Sequence, residues 1–375
     1  MKPTIVEVTT KKQLKQFVHW QNEFYKDCPY YTPAIEADEV TSLTPEGNAA
    51  FEFCTARSWL AYGPDGKIVG RVTGIINPRA NEHWGKKQVR FGWIDYVNDV
   101  DVARALVDTV ADWGKSQGMD SIVGPLGFSD MDKEGMLVEG FDRFAPFTTI
   151  YNYDYYGPLL EQIGFEKDAD WIQRTVTFPD DDSRIYRAAE MVEKRYGLHC
   201  VTGMSGKKMV ERYGLKLFHT YNESFAPLYE FIPLTDGQIE NILRDFGALM
   251  DPDFLCILVD SEDNIVGFAV CVPSPAKALR KNKGKLFPFG WIPLLRAVKG
   301  RNEELEALMI GVHPDYQNKG AFMPMFRFIL DNCKKRGVKI MYNNPQLEDN
   351  YRVMNIFAPY NPQFYMRRRC YKKAI

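Results

Sequence analysis

The sequence has few of the residues that metal centres and covalent catalysis require. Its seven cysteines are scattered, with no CxxC pair and no Cys/His cluster at zinc-site spacing. Its five histidines are scattered too, so no Ser/His/Asp or Cys/His set is evident for a covalent intermediate. We therefore expect no metal site, no disulfide framework, and buried reduced thiols of the kind found in cytoplasmic proteins.

Long apolar runs and a strong net charge are also absent. No run of about 18 apolar residues occurs, and the opening residues MKPTIVEVTTKK lack the apolar segment of a signal peptide. The net charge is −2 over 375 residues, so no global basic field favours nucleic acid or a membrane. We expect a cytoplasmic protein with no nucleic-acid partner and no stable membrane insertion.

One pattern of elements occurs twice. In each copy, two strands joined by a polar turn are followed by a strand, a helix and a further strand. Ile68-Val69-Gly70 in the first hairpin matches Ile265-Val266-Gly267 in the second. We interpret the pattern as an internal duplication of one α/β unit, which suits a chain long enough for two domains.

The boundary between the copies is predicted from the stretch 179–183, where Pro179 and an acidic run precede Ser183, a helix N-cap. The predicted organisation is a first domain over 1–179, a linker helix and connector over 180–214, and a second domain over 215–375.

The stretch from Leu305 to Gly337 has the strongest chemical pattern. An apolar strand, 305–312, leads through the polar turn 315–320 into a helix over 321–336. The first amides of a helix have no intrahelical acceptor and carry partial positive charge, so they can bind a phosphate group. Lys319 would add a full charge, although such a turn also occurs where no ligand binds.

The sequence of this turn resembles the acyl-CoA loop of the GNAT superfamily of N-acyltransferases. It reads Val312-His313-Pro314-Asp315-Tyr316-Gln317-Asn318-Lys319-Gly320. That loop reads loosely V-x-P-x-x-[QR]-x-x-G-x-[GA]. Gln317 and Gly320 match, whereas Phe322 stands where a second small residue is expected and could crowd the approach to a pyrophosphate. The resemblance covers the C-terminal half and, more weakly, the whole chain, which is similar to two-domain GNAT-like proteins of this length.

This resemblance implies an α/β (α+β) fold of two GNAT-like domains, each a mixed β-sheet flanked by helices. It also implies that acetyl-CoA or another acyl-CoA binds the second copy. The residues implied for this cofactor are Ile310, Gly311, Val312, Gln317, Asn318, Lys319, Gly320, Ala321 and Phe322. In the first copy the matching segment, 98–101, has two carboxylates and no glycine, so we expect no cofactor there.

In the GNAT scheme a neutral amine attacks the thioester directly, and a carboxylate or water takes up the proton. Glu306 is the candidate base, because it lies on the strand that leads to the loop, with the parity of Leu308 and Ile310. An exposed charge at a strand end is the alternative.

Many GNAT enzymes protonate the leaving thiolate with a tyrosine, whose position here falls near Phe357, so Tyr360 becomes the candidate acid. Glu348 and Asn350 follow the next strand and are expected to line the pocket of the acceptor, a small-molecule or peptide amine.

Two further segments have open interpretations. The stretch 127–142 contains Asp130, Asp132, Glu134, Glu139 and Asp142, which could form an acidic lip for a cationic amine or a solvated loop. The stretch 273–301 has eight Lys/Arg, no acid and an apolar stripe. It could be a solvated insertion, a lid over an acyl chain or CoA, or a membrane-surface contact that two prolines interrupt.

The function predicted from these features is acyl-CoA-dependent N-acylation, with acetyl transfer as the first expectation, of an unidentified amine by direct transfer. An inert acyl-CoA-binding or regulatory protein is the alternative, which Phe322 and Phe357 favour. Aminoacyl transfer from tRNA by tandem GNAT-like domains is a third possibility, against which the mild net charge and the acyl-CoA loop argue.

Overall fold

The computed structural model describes residues 1–178, 181–247, 250–360 and 362–375. Pro179 and Asp180, at the predicted boundary, lie outside these residues. The first repeat comprises β1 (Thr4–Glu7), α1 (Lys11–Phe24), α2 (Glu36–Ser42), β2 (Thr55–Tyr62), β3 (Ile68–Ile76), α3 (Pro78–Trp84), β4 (Gln88–Tyr96), α4 (Val100–Ser116), β5 (Ser121–Gly124), β6 (Met136–Glu139), α5 (Tyr156–Gln162) and β7 (Glu166–Thr177).

Helix α6 (Ser183–Tyr196) separates this repeat from the second. The second repeat comprises β8 (His199–Cys200), α7 (Gly206–Phe225), α8 (Asp236–Phe246), β9 (Leu255–Val259), β10 (Ile265–Pro273), α9 (Ala276–Asn282), α10 (Trp291–Lys299), β11 (Glu304–Val312), α11 (Phe322–Arg336), β12 (Ile340–Tyr342), β13 (Gln346–Leu347), α12 (Tyr351–Phe357) and β14 (Gln363–Ala374). Apart from the pair α9 and α10 in place of α3, the two orders agree element by element, as the duplication predicts.

Helix α7 runs through residue 215, where we placed the start of the second domain. Tyr213 and Leu217 on either side of that residue are both buried on the same helix face. A boundary at 215 would therefore divide a helix that packs as one unit and that corresponds to α1 in the first repeat.

The sheets of the two repeats are continuous, whereas we expected one separate sheet in each. The described strands form one sheet in the order β1-β2-β3-β4-β5-β14-β7-β12-β11-β10-β9-β8, with β6 beside β14 and β13 beside β7. The cause is an exchange of the last strands. Strand β14 of the second repeat pairs with β5 of the first, and β7 of the first pairs with β12 of the second.

The exchanged strands β7 and β14 also pair with each other, and a charged cluster holds their register. Asp170 on β7 is buried and accepts hydrogen bonds from Arg369 at 2.8 and 3.0 Å and from Arg367 at 3.1 Å. Because a buried carboxylate needs such partners, this cluster favours one register of the strands that join the repeats.

The parallel strands of each repeat pair over only three residues and then separate. Gln88–Arg90 of β4 pair with Ser121–Val123 of β5, and Glu304–Glu306 of β11 pair with Ile340–Tyr342 of β12. In the second repeat the remainder of β11 pairs, among the described residues, only with β10, so a slot opens between β11 and the segment after β12.

Helices cover both faces of the sheet in the second repeat. An apolar core under α11 includes Leu305, Met325 and Leu330, and another core under α7 includes Tyr221, Ile257 and Phe268. Within the described residues, no helix is both long enough and apolar enough to cross a bilayer.

Candidate functional site

The loop between β11 and α11 is a tight connection held to the end of the strand. A short 3-10 turn, Pro314–Tyr316, follows β11, and the Gln317 side-chain amide donates to the Val312 carbonyl at 3.2 Å. Asn318 and Gly320 both have left-handed backbone, with φ of 62° and 79°. Glycine adopts this conformation without steric cost, which explains Gly320 at the point where the chain turns into the helix.

The start of α11 presents unpaired donors. Among the described residues, no protein acceptor faces the backbone amides of Gly320, Ala321 and Phe322. Lys319 is exposed, and its Nζ lies 4.9 Å from the centroid of the Tyr316 ring. Helix amides, the helix dipole and one lysine are groups that could together bind an anion such as a diphosphate, and we call this group the anion seat.

Phe322 does not crowd this seat, contrary to our expectation. Its ring is 8 % exposed and lies 5.3 Å from the ring of Phe326 and 5.4 Å from that of Phe357, measured between centroids. The side chain therefore fills the core beneath α11, and only its backbone amide belongs to the loop.

The slot contains an unsatisfied polar side chain. Asn343 directly follows β12 and is 3 % exposed, yet neither Nδ2 nor Oδ1 has a partner within the described part of the chain. The Oε1 atom of buried Gln173 lacks one too, while its Nε2 donates to the Asn343 carbonyl at 3.1 Å. A buried unpaired amide costs about 1–3 kcal/mol, so these groups suit a ligand that brings amides of its own.

Glu306 lies at the inner end of the slot, on the last residue of β11 that pairs with β12. The carboxylate is 1 % exposed and accepts hydrogen bonds from Ser274 Oγ at 2.6 Å, Thr148 Oγ1 at 3.1 Å and the Phe147 amide at 3.4 Å. Burial raises the pKa of Glu306 to about 7, although its donors oppose the rise. The side chain is therefore not an exposed charge at a strand end.

A small cavity adjoins this carboxylate. Its volume is about 20 Å³, and Glu306, Arg280 and Tyr342 are among the residues that line it. That volume and polarity suit one water molecule. A water molecule there could carry a proton to or from Glu306.

A β-bulge determines which residues share the face of Glu306. Met309 pairs with Val270 and Ala307 with Cys271, which leaves Leu308 as an extra residue. As a result Ile310 packs in the core under α11, while Leu308 packs in the core under α7. The expected parity of Glu306 with Ile310 is wrong, because the bulge reverses the alternation between them.

Tyr360 lies on the other face of the sheet. Its ring packs against Phe326 of α11, with 4.6 Å between centroids, and burial raises its pKa. The candidate base and the candidate acid thus lie on opposite sides of β11, with the slot between them. Their roles stay predictions.

Glu348 and Asn350, the residues predicted to line the acceptor pocket, lie between β13 and α12. Glu348 accepts a hydrogen bond from Arg367 at 2.9 Å and another from Lys167, so it belongs to the charged cluster between β7 and β14. Asn350 lies just before α12, and its backbone amide donates to the Leu347 carbonyl at 3.0 Å. Whether either residue lines the pocket of the acceptor stays a prediction.

The corresponding place in the first repeat is filled by protein. Asp99 caps α4, accepting from the amides of Asp101 at 2.9 Å and Val102 at 3.4 Å. The gap beside β4 is closed by Leu126, and a side chain on Gly92 would lie 2.6 Å from the Leu126 carbonyl. Two of the first amides of α4 thus have a protein acceptor, and Leu126 lies close against Gly92. That the first repeat binds no cofactor stays a prediction.

Arg90 of β4 occupies the position that Glu306 has in β11, as the last residue of the parallel pair. It is buried and forms an ion pair with Glu230, at 2.8 Å. The carboxylate at the inner end of the slot is therefore a feature of the second repeat.

The acidic stretch 127–142 forms neither an exposed lip nor a fully solvated loop. Asp132 accepts from the amides of Phe128 at 2.8 Å and Ser129 at 3.2 Å, and Asp130 accepts from the Tyr221 hydroxyl. Burial raises the pKa of both aspartates to about 6. The hydrogen bonds of these two carboxylates hold the segment that follows Leu126 in place beside β4.

Sequence reasoning missed Ser274, Thr148 and Asn343. Thr148 belongs to the other repeat, and no local pattern connects it with Glu306. The run Asn343-Asn344-Pro345 after a predicted strand was a usable signal, because Asn and Pro mark the end of a strand near a turn.

The loop, the slot and Glu306 all lie within residues that match a known family. Residues 215–358 match the model of the acetyltransferase (GNAT) family. This part of the chain is a GNAT-family domain. The resemblance proposed from the loop is thereby confirmed.

Two relatives are similar to the chain over nearly its whole length. Protein YghO of Escherichia coli is 27 % identical, and the match covers 97 % of this chain and 94 % of that protein. The bacterial ceramide synthase of Caulobacter vibrioides is 24 % identical, over 99 % of this chain and 97 % of that protein.

Solved structures share the tandem fold. A tandem GNAT protein from the clavulanic acid biosynthesis pathway superposes with a TM-score of 0.56 at 11 % identity, covering 100 % of this chain and 98 % of its own. A GCN5-related glucosamine N-acetyltransferase region in a fungal multi-domain β-N-acetylglucosaminidase gives a TM-score of 0.57 at 12 % identity, over 99 % of this chain and 38 % of that one. At these identities the likeness shows the fold alone, and it confirms two GNAT-like units flanked by helices.

Proposed function

We propose that the protein is an acyl-CoA-dependent N-acyltransferase whose reaction takes place in the GNAT domain of the second repeat. The observation that carries the proposal is Glu306, a buried carboxylate at the inner end of a slot whose outer end is an anion seat. Val312 lies six positions after Glu306 on β11, or about 20 Å along the strand. That length suits the extended arm between the diphosphate and the thioester of CoA.

The residues present fit acyl-CoA as the donor. The amides of Gly320, Ala321 and Phe322 with Lys319 would hold the diphosphate, and the unpaired amide of Asn343 would bond the amide-bearing arm. Bound there, acyl-CoA supplies an acyl group that is activated as a thioester.

Glu306 is the proposed general base. A carboxylate with a pKa near 7 is half ionised at neutral pH and can accept the proton that the amine loses as it attacks. The carbon–nitrogen bond forms, the carbon–sulfur bond breaks, and the thiolate takes a proton from Tyr360 or from water. Ser274 and Thr148 hold the carboxylate in place.

The proposed acceptor is a long-chain amino alcohol. The relative from Caulobacter vibrioides is named a ceramide synthase and matches almost the whole chain. A ceramide is the amide of a fatty acid with a long-chain amino alcohol, which is the bond type that this site would make. Because acyl-CoA is a cytoplasmic metabolite, and the described cysteines are free thiols, we place the protein in the cytoplasm.

The test is a matrix of donors and acceptors. Acetyl-, hexanoyl- and palmitoyl-CoA are each combined with sphinganine, spermidine and a lysine peptide. CoA release is followed with a thiol reagent, and the product is identified by mass spectrometry. We expect release to depend on sphinganine and to produce its N-acyl amide.

An inert acyl-CoA-binding protein would bind a donor in calorimetry but release no CoA with any amine. Turnover with the peptide or spermidine alone would retain the N-acyltransferase activity and overturn the lipid acceptor. Mass spectrometry of small molecules that co-purify with the protein provides an independent identification of the acyl group.

A further inference from the structure

The segment 276–299, here called the α9–α10 hairpin, presents large apolar side chains to solvent. Phe287 is 85 % exposed, Phe289 72 %, Trp291 47 % and Leu295 46 %. Scattered single apolar residues are common on protein surfaces, but a contiguous group of this size marks an interaction site.

The tip of the hairpin is held in this arrangement. The Asn282 side chain donates to the Gly290 carbonyl at 2.8 Å, and the Trp291 amide donates to the Leu286 carbonyl at 2.9 Å. A side chain on Gly290 would lie 1.8 Å from the Lys285 carbonyl, so the turn requires glycine. The exposed rings are therefore displayed by a closed turn.

The charges around these rings have one sign. Residues 273–301 contain eight Lys/Arg and no acid. Lys281, Lys283, Lys285 and Arg296 are exposed, and within the described residues none of them forms an ion pair. Four unpaired cations beside exposed aromatic rings match a surface that is anionic outside and apolar beneath.

We propose that the α9–α10 hairpin docks on the surface of an anionic lipid bilayer. The rings of Phe287, Phe289 and Trp291 would enter the boundary between headgroups and acyl chains. The lysines would contact anionic headgroups while their methylene stems lie along the apolar layer. A lid over an acyl chain, which we also considered from the sequence, would instead turn these rings toward the slot.

The hairpin lies next to the candidate site. Arg280 of α9 lines the cavity beside Glu306, and Ser274, which donates to Glu306, lies two residues before α9. Gly284 packs against the first repeat, where an added side chain would meet the Ala34 carbonyl at 2.7 Å. If the proposed lipid acceptor is correct, docking would let it pass from the bilayer to the slot without crossing water. The docking itself does not depend on that activity.

The test is co-sedimentation of the full chain with vesicles, either of phosphatidylcholine alone or of equal parts phosphatidylcholine and phosphatidylglycerol. We expect binding to the anionic vesicles that weakens as salt shortens the range of charge interactions. F287S/F289S should weaken it at least tenfold. K281Q/K283Q/K285Q should weaken it about fivefold per charge, or roughly a hundredfold in all, on anionic vesicles only.

Two matched control variants leave the hairpin intact. M191S/L215S removes exposed apolar side chains elsewhere, and K11Q/K12Q/K15Q removes three exposed lysines from α1. Both should bind vesicles as the unaltered protein does. Melting temperatures show whether each variant is folded, which is expected because all substituted side chains are exposed.

No binding by the unaltered protein would overturn the proposal, and so would equal binding by F287S/F289S. If F287S/F289S binds vesicles as the unaltered protein does but has lost affinity for soluble palmitoyl-CoA, the hairpin is a lid instead. Because the assay contains no amine and no donor, its result is independent of whether the proposed acyl transfer occurs.

Discussion

Replacement of Glu306 by glutamine should change activity and stability in opposite directions. The introduced side chain would keep the size of the original and one acceptor oxygen for Ser274 or Thr148, but it could not accept a proton. General-base catalysis typically contributes 10²–10⁴-fold. We expect a fall of that order in kcat with little change in the binding of acyl-CoA.

The stability effect follows from the raised pKa of Glu306, about 7 in the fold against an ordinary value of 4.5. Between those two values the folded state binds more protons than the unfolded state, so ionisation makes the free energy of unfolding fall as pH rises. The difference amounts to about 3 kcal/mol above pH 7. It is absent below pH 4.5, where the carboxyl is protonated in both states.

E306Q should therefore be more stable than the unaltered protein at pH 8, by up to about 3 kcal/mol, and similar to it near pH 4.5. Urea denaturation at a series of pH values measures this difference. In the enzymatic assay, kcat/KM of the unaltered protein should rise through pH 7 and then level off, which gives the profile a rising pH limb. In E306Q this rise of kcat/KM with pH should be absent.

The control is E303Q, because Glu303 is an exposed neighbour on the surface beside Lys339. It should leave both the rate and the pH profile unchanged. If E306Q retains the rate and the pH limb, Glu306 is not the base. If the stability gained by E306Q over the unaltered protein is the same at pH 8 and at pH 4.5, ionisation of Glu306 does not destabilise the fold as its raised pKa implies.

Three further predictions test the donors, the loop and the exchanged strands. S274A removes the shortest hydrogen bond to the Glu306 carboxylate, so the pH limb of kcat/KM should move upward by about one unit; an unmoved limb contradicts this role. G320D places a carboxylate beside the expected diphosphate, at a residue whose φ of 79° favours glycine. Calorimetry should therefore find one CoA per unaltered chain and none for the variant. D99N, at the matching place of the first repeat, should bind CoA normally, and two CoA per unaltered chain would show that the first repeat binds it too. D170N removes the charge that pairs with Arg367 and Arg369, so it should lower the free energy of unfolding by about 3 kcal/mol. Urea denaturation should show a single transition; two separate transitions would show that the repeats unfold independently.

Local patterns were sufficient to predict the part of the site that is contiguous in sequence. The strand, the polar turn and the helix over 305–336 each leave a signal of their own, namely an apolar run, a left-handed glycine and helical spacing. The match between the two hairpins likewise revealed the duplication. The geometry of this strand, turn and helix was therefore predictable from one short stretch.

The rest depends on contacts between residues far apart in the chain. A bulge at Leu308 changes which residues lie on the same face as Glu306, and nothing in the run of apolar residues marks it. Thr148 reaches Glu306 only because the two repeats pack together. The pairing of β14 with β5 likewise spans the whole second repeat, and strand propensity does not identify a distant partner.

The exchange of β7 and β14 has a consequence for assembly of the fold. Neither repeat can complete its sheet from its own residues. A chain in which only one repeat has folded therefore still exposes a strand edge at β5 or β12. Another copy of the chain offers strands with the same sequence and register as the missing ones. At high protein concentration, refolding should therefore also produce dimers in which β14 of one molecule completes the first repeat of another.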